Sequence, residues 1–226
     1  MDVQVRHAPS FAAARVVLGP SESLSVESGA MMAMSSGVTP DAKAEGGMFK
    51  SLKRAALGGE SLFVTRFTAG AQGGWVDVAA NLPGDIHVTE LRDEAVALTK
   101  GAWLCSGSEV ALDTKWGGFK NLFGGEGGFI IHAVGTGTVV ASCYGATDRV
   151  ELAQGEELIV DSGHVVAFDP TIGMELVKAA KGFVKTAKTG EGLVFRFVGP
   201  GWVLTQTRNP GALITWLTEV LPFSRS

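Results

Sequence analysis

The feature that most constrains this chain is a pair of glutamate and glycine signatures that each occur three times. The segments FKSLKRAALGGESLFVTRFTAG, FKNLFGGEGGFIIHAVGTG and GFVKTAKTGEGLVFRFVGPG align on Glu60, Glu126 and Glu191, which stand 66 and 65 residues apart. Between them lie SESLSVESGAMMAM, DEAVALTKGAWLCS and GEELIVDSGHVVAF. These align on Glu22, Glu94 and Glu156, with Gly29, Gly101 and Gly163 each seven residues further on. Two separate markers that each recur three times describe three copies of a single unit, and a unit that cannot cover its own apolar face must pack on its neighbours. The units span about 15–88, 89–150 and 151–209 of a single 226-residue domain. Such a chain is long enough to bury a substantial core.

Each unit reads as β structure. In SLFVTRF, Phe63, Thr65 and Phe67 alternate with Val64 and Arg66, the period of a strand with two unlike faces. Turn signals punctuate the rest at Gly73-Gly74, Pro83-Gly84, Gly135-Thr136-Gly137 and Gly199-Pro200-Gly201. Glycine supplies 31 residues while charged residues are only 19%, so a glutamate beside a glycine needs a reason. The glycine permits a tight or positive-φ turn, and the carboxylate can accept hydrogen bonds from backbone N–H groups exposed where a strand begins. The expected fold is all-β, of short double-stranded β-helix or β-sandwich type, with three units around a pseudo-threefold axis. Exposed strand edges need partners, which makes a homo-oligomer such as a trimer the expected consequence.

Helical periodicity is confined to the connections and the tail. MFKSLKRAALGG fits two or three turns ending at glycine, and MELVKAAKGFVKTAKTG places Leu176, Val177, Ala180, Phe183 and Val184 on one side. In GALITWLTEVLPF, Leu213, Trp216, Leu217, Val220 and Leu221 form an i, i+3, i+4, i+7, i+8 stripe. A C-terminal amphipathic helix is expected within 210–226.

Composition excludes several function classes. A net charge of −4 argues against a general nucleic-acid binder, whose affinity comes largely from lysine and arginine on phosphates. The two cysteines, Cys105 and Cys143, belong to no CxxC or Cys/His cluster, so buried thiols in a reducing compartment are expected and not a disulfide framework or a metal site. Residues 1–14 lack the basic start and apolar core of a signal peptide, and no run approaches the roughly 18 to 20 apolar residues of a spanning helix. A cytoplasmic protein, peripheral to membranes at most, is the resulting expectation.

No catalytic set converges either. His7, His87, His132 and His164 are scattered, with no HExxH, and no GxSxG elbow is present. Asp161-Ser162-Gly163-His164 offers acid and base groups, but it occupies the repeat position of Glu27 to Ala30 and Thr99 to Ala102 and reads as a turn. GGEGG and GTGTVV match neither phosphate-binding pattern. No enzyme activity, cofactor or metal is expected.

Three surfaces remain as candidates. Arg66, His132 and Arg196 fall at equivalent strand positions, on the face of Val64, Ile130 and Val194, if the third unit is one residue shorter after Glu191. They form either an anion-binding set, with His132 joining when protonated, or pairs with the turn glutamates Glu60, Glu126 and Glu191, or they lie in solvent. Lys50, Lys53 and Arg54, then Lys120, then Lys178, Lys181, Lys185 and Lys188 make the connections basic, as a solvated face or a contact for anionic lipid. The Leu/Trp stripe of the C-terminal helix suits packing on its own body, a neighbouring subunit, a protein partner or a membrane.

GGESLF, ESGAMMAM, GGEGGF and GEGLVFRFVGPGWVLTQTRN together resemble the altered-inheritance-of-mitochondria family and its bacterial relatives, over about residues 15–209 and the Leu/Trp tail. The resemblance implies an all-β fold of short double-stranded β-helix type, grouped with the tryptophan RNA-binding attenuation proteins. It associates the mitochondrial members with inner-membrane organisation, and this chain looks like a bacterial-type member. It carries no catalytic residues, and a shared fold transfers neither RNA nor tryptophan binding. The expected function is a non-catalytic oligomeric scaffold or assembly protein, at a membrane surface in one version, with small-ligand or anion binding as the alternative.

Overall fold

Alternation of apolar and polar residues along short segments separated by glycine turns becomes a set of antiparallel ladders in the computed structural model, which describes residues 1–41, 64–99, 101–114, 130–178 and 193–222. The first strands are β1 (Asp2–Arg6), β2 (Ala13–Leu18), β3 (Ser23–Glu27), β4 (Met31–Met34), β5 (Val38–Asp41), β6 (Val64–Ala69) and β7 (Gly74–Ala79). Then follow β8 (Ile86–Thr99), β9 (Trp103–Gly107), β10 (Val110–Thr114) and β11 (Ile130–Ser142). The last are β12 (Thr147–Leu152), β13 (Glu157–Asp161), β14 (Val165–Phe168), β15 (Gly173–Lys178), β16 (Leu193–Val198) and β17 (Gly201–Gln206), before helix α1 (Pro210–Val220). The fold is all-β with this C-terminal helix.

Three sheets result. One runs β1-β2-β7-β4, a second β12-β17-β14-β8-β11-β9-β3-β6-β5 with β10 added on β11, and a third β13-β16-β15. The long strands β8 and β11 pair from Ile130 opposite Thr99 to Ser142 opposite Ile86. Their register shifts once, where Asp93 adopts φ 61° and its N–H reaches the Thr136 hydroxyl at 3.1 Å. This bulge bends one continuous strand pair.

The turns show what an acidic residue beside glycine does. Glu22 Oε2 accepts from the Gly19 N–H at 2.8 Å, and Glu156 Oε2 accepts from the Ala153 N–H at 2.9 Å, so each carboxylate closes the turn that leads into β3 or β13. Glu22 also holds the N-terminal ammonium at 3.0 Å. Glu94 has no such task, because β8 runs straight through it. Gly29 and Gly101 sit at φ 93° and 78°, between Glu27 or Thr99 and the residue that bonds back to its carbonyl, a conformation a side chain would strain. Gly163 differs: it lies in a short 3-10 turn, where a Cβ would collide with the side chain of Asn209. Glu60, Glu126 and Glu191 lie outside the described residues, as do the basic connections up to Lys188 other than Lys178.

One helical expectation is corrected. Gly173–Lys178 is strand β15, in which Met174 and Leu176 stand opposite Phe197 and Phe195 of β16. Met-Glu-Leu-Val-Lys also satisfies a period of two, and two buried phenylalanines on the neighbouring strand decide between the patterns. The rest of that segment, and MFKSLKRAALGG, lie outside the described residues.

Burial follows strand alternation. Ala14, Val16 and Leu18 of β2, Leu24 and Val26 of β3, and Val76 and Val78 of β7 fill one apolar cluster. Leu104, Cys105 and Val140 join it from β9 and β11. A second cluster centres on Trp103, Leu98 and Ile131 and takes in Val166, Ala167 and Leu204. A third surrounds Phe195 and Phe197 and takes in Ala97 and Ile130 of the middle strands. Each cluster is therefore completed by side chains from the next segment. Leu104, which is 1% exposed, carries β9 into the first cluster, so Leu104→Ala is expected to lower unfolding free energy in denaturant titration by about 2–5 kcal/mol. A loss below about 1 kcal/mol would mean that this junction carries no packing.

Candidate functional site

The most strongly organised polar site of the described residues is an acid buried in the middle of a strand. Asp77 of β7 stands opposite Arg15 of β2, and Arg6 reaches it from β1. Arg15 binds it through two parallel contacts, Nε to Oδ1 at 2.8 Å and Nη2 to Oδ2 at 2.9 Å, and Arg6 Nη2 lies 2.9 Å from Oδ2. The guanidinium of Arg15 also lies 3.8 Å from the centre of the Trp75 ring, fixed between an aromatic face and a carboxylate. The Arg15 hydrogen bonds, opposed by burial and helped by Arg6, hold the Asp77 carboxyl below the usual carboxylate range. Such a cluster, with its carboxylate saturated, ties the N-terminal strand to the sheet. Its sequence signal is an acid inside the otherwise apolar run WVDVA, which strand alternation alone passes over.

The three predicted cations occupy matching ladder positions. Arg66 stands opposite Ser25 and Asp41, His132 opposite Ala97 and Asp113, and Arg196 opposite Ile159 and Glu175. Each thus has an acid directly across one strand. Arg196 binds Glu157 through both Nε, at 3.1 Å, and Nη2, and its Nη1 lies 3.6 Å from Glu175. These hydrogen bonds and charges, Glu157 first, push the Arg196 pKa up.

A second polar cluster roots the C-terminal helix. Asn209 caps α1 by accepting from the Gly211 and Ala212 N–H groups, while its Nδ2 donates to Asp161 at 3.2 Å. Gln206 donates to the Gly163 carbonyl at 2.9 Å, and His164 Nδ1 meets the Gln206 carbonyl at 2.7 Å. Asp161 thereby fastens the helix cap, while Gly163 and His164 hold the end of β17 that leads into it. The helix leaves part of its apolar stripe uncovered: Ile214, Trp216, Val220 and Leu221 are 40–57% exposed, while Leu213 and Leu217 are half-buried.

Remaining reactive groups are inert or dispersed. Cys105 and Cys143 are free and buried. Burial raises both thiols, Cys143 to about 11, and the Cys143 thiol donates to the Gly145 carbonyl at 3.2 Å. His87 is half-buried, and burial followed by the charge of Arg149 pushes its pKa down. Among the described residues, no three His, Cys, Asp or Glu side chains gather to hold a metal, and no helix is long and apolar enough to cross a membrane.

Asp77→Asn leaves two arginines facing a neutral amide, and a loss of about 3 kcal/mol at pH 7 is expected, the low end for orphaning a buried pair because both arginines touch water. The sign with pH follows from the lowered pKa. The cluster stabilises the fold above the unfolded carboxyl value near 3.9, and that stability disappears as pH falls through the lower folded value. Denaturant titrations from pH 7 to 2 should therefore converge for the two proteins at the acidic end. Parallel curves would exclude Asp77 from the acid response.

A family model described as mitochondrial biogenesis AIM24 matches residues 3–208. An uncharacterised protein of Streptococcus pyogenes serotype M6 is 30% identical over 210 residues, covering 89% of this chain and 84% of that protein. A crystal structure of a Streptococcus pyogenes protein superposes with a TM-score of 0.78 at 25% identity, covering 97% of this chain and 99% of the other. The chain belongs to the AIM24 mitochondrial biogenesis family.

Proposed function

We propose that this protein is a non-catalytic assembly module, built from three copies of one β unit and working by holding copies of itself together, in the cytoplasm or at the surface of a membrane. The observation that carries this reading is the apolar surface of α1, where Ile214, Trp216, Val220 and Leu221 stay exposed although Asn209 fastens the helix to Asp161. A solvated helix gains nothing from a Leu/Trp stripe, whereas an interface does.

Support for three units comes from register. Gly74, Gly137 and Gly201 stand opposite Leu18, Leu91 and Leu152. Met32, Leu104 and Val166 are each skipped where β4 lies on β7, β9 on β11 and β14 on β17. Arg66, His132 and Arg196 are matched in the same way, each across from an acid. That acid also weakens the alternative of anion binding by the three cations, because a carboxylate one strand away competes for the same charge.

Deleting residues 211–226 and measuring both mass in solution and sedimentation with vesicles containing phosphatidylserine tests the function. The full-length protein is expected to exceed the mass of one chain or to sediment with vesicles, and the deletion should weaken that property. A full-length protein that is monomeric and stays in the supernatant would remove the assembly reading.

A further inference from the structure

We propose that chains join head to tail through β13 of one chain and β4 of the next, antiparallel, with Ile159 opposite Met34 and Val160 opposite Ala33. The contact rests on the reading of the chain as an assembly module of three units, and it names the surfaces and the register. The partner is a second copy of this chain.

The chain already contains this contact twice. Strand β3 pairs with β9, Ser25 opposite Ser106 and Val26 opposite Cys105. The second half of β8 pairs with β14, Ala97 opposite Phe168 and Leu98 opposite Ala167. The two junctions have one register. Ser25, Ala97 and Ile159 are the residues across from Arg66, His132 and Arg196. On the other strand, Ala33, Cys105 and Ala167 are the residues across from Asp77, Val140 and Leu204. Each junction therefore seats one kind of strand, β3 or the end of β8, on one kind of partner, β9 or β14.

Two strands of these kinds are left without that neighbour. Among the described residues, β13 pairs only with β16 and β4 only with β7. Burial records the difference. The skipped residues Leu104 and Val166 are each 1% exposed inside the junctions, whereas their counterpart Met32 is 56% exposed. Ala97 is fully buried and Ser25 half-buried, whereas their counterpart Ile159 is 64% exposed. Trp103 and Val165 are likewise buried where Met31 is exposed.

Neither edge carries the usual protection against pairing. Free edges in soluble proteins are commonly blunted by lysine, proline or an inward-pointing charge. Strand β4 is Met-Met-Ala-Met, with no charge and no proline. Strand β13 places Leu158, Ile159 and Val160 at its centre, and the carboxylate of Glu157 is occupied by Arg196. A flexible methionine, Met34, opposite the branched Ile159 suits a packed apolar junction. Because the two edges differ, the contact is heterologous, and repetition yields a ring or a filament that continues the series of junctions inside each chain.

The test uses Ile159→Glu and Met32→Glu, two changes at exposed residues in different units, with circular dichroism to check that each folds. Sedimentation velocity up to about 100 µM should show unmodified protein above one chain mass. Each variant should sediment near a single chain of 23.5 kDa. An equimolar mixture should form a one-to-one dimer and grow no further, since the mixture keeps one intact β13 and one intact β4 while all other ends are blocked. An unmodified protein that stays monomeric overturns the contact. Assembly unaffected by either variant also overturns it while leaving the assembly reading in place, and variants that fail to complement each other overturn the head-to-tail arrangement. Should a variant misfold, the Ile159→Cys, Met34→Cys chain decides: mild oxidation should link chains in series, and no linkage counts against the register.

Discussion

Every strand in this protein has two edges to satisfy, and that requirement organises the rest. An antiparallel strand offers N–H and C=O groups to both sides, so a unit of a few short strands is never complete by itself. The chain answers by seating β3 on β9 and the end of β8 on β14, at one register both times. A residue skipped in the ladder then points into the neighbour: Leu104 and Val166 enter clusters shared between successive segments. The bulge that displaces them is what turns a hydrogen-bonded edge into a packed one.

Polar residues in this architecture serve geometry. Glu22 and Glu156 close turns by accepting backbone N–H groups, Asp161 and Asn209 fasten the helix, and Asp77 binds two arginines that join β1 and β2 to β7. At the ladder positions corresponding to Asp77 the middle and last segments carry Val140 and Leu204, which need no counter-charge. The ion cluster is therefore a local solution to having an extra N-terminal strand, since β1 supplies Arg6 and, among the described residues, pairs only with β2. Three guanidinium contacts engage both of its carboxylate oxygens.

Much of this was legible in the residues. Period-2 runs and glycine turns point to an all-β chain, and the glutamate beside a glycine does at Glu22 and Glu156 what hydrogen-bond chemistry suggests. The C-terminal stripe and its proline correspond to α1, although Trp216 and Val220 face solvent. Other features stayed hidden for physical reasons. Gly173–Lys178 satisfies helical and strand periods at once, and only Phe195 and Phe197 across the ladder choose between them. Gly163 looks like Gly29 and Gly101 in the alignment, yet its constraint is the approach of Asn209 from 46 residues away, not its own dihedral angle. Asp77 breaks the apolar pattern of its strand, and its partners are remote in sequence. The exposure of β4 was invisible because Met31 and Met32 are as apolar as the buried Trp103, Leu104, Val165 and Val166 at the matching positions.

The claim that one edge contact recurs along the chain has a direct physical readout in backbone protection. Hydrogen exchange on dilute protein, followed by mass spectrometry, reports how often each strand loses its neighbours. Strands β9 and β14 should exchange at least about 100-fold more slowly than β4, and β3 more slowly than β13, because only the former of each pair have a partner on both edges. Equal protection of β4 and β9 at that dilution would contradict the account.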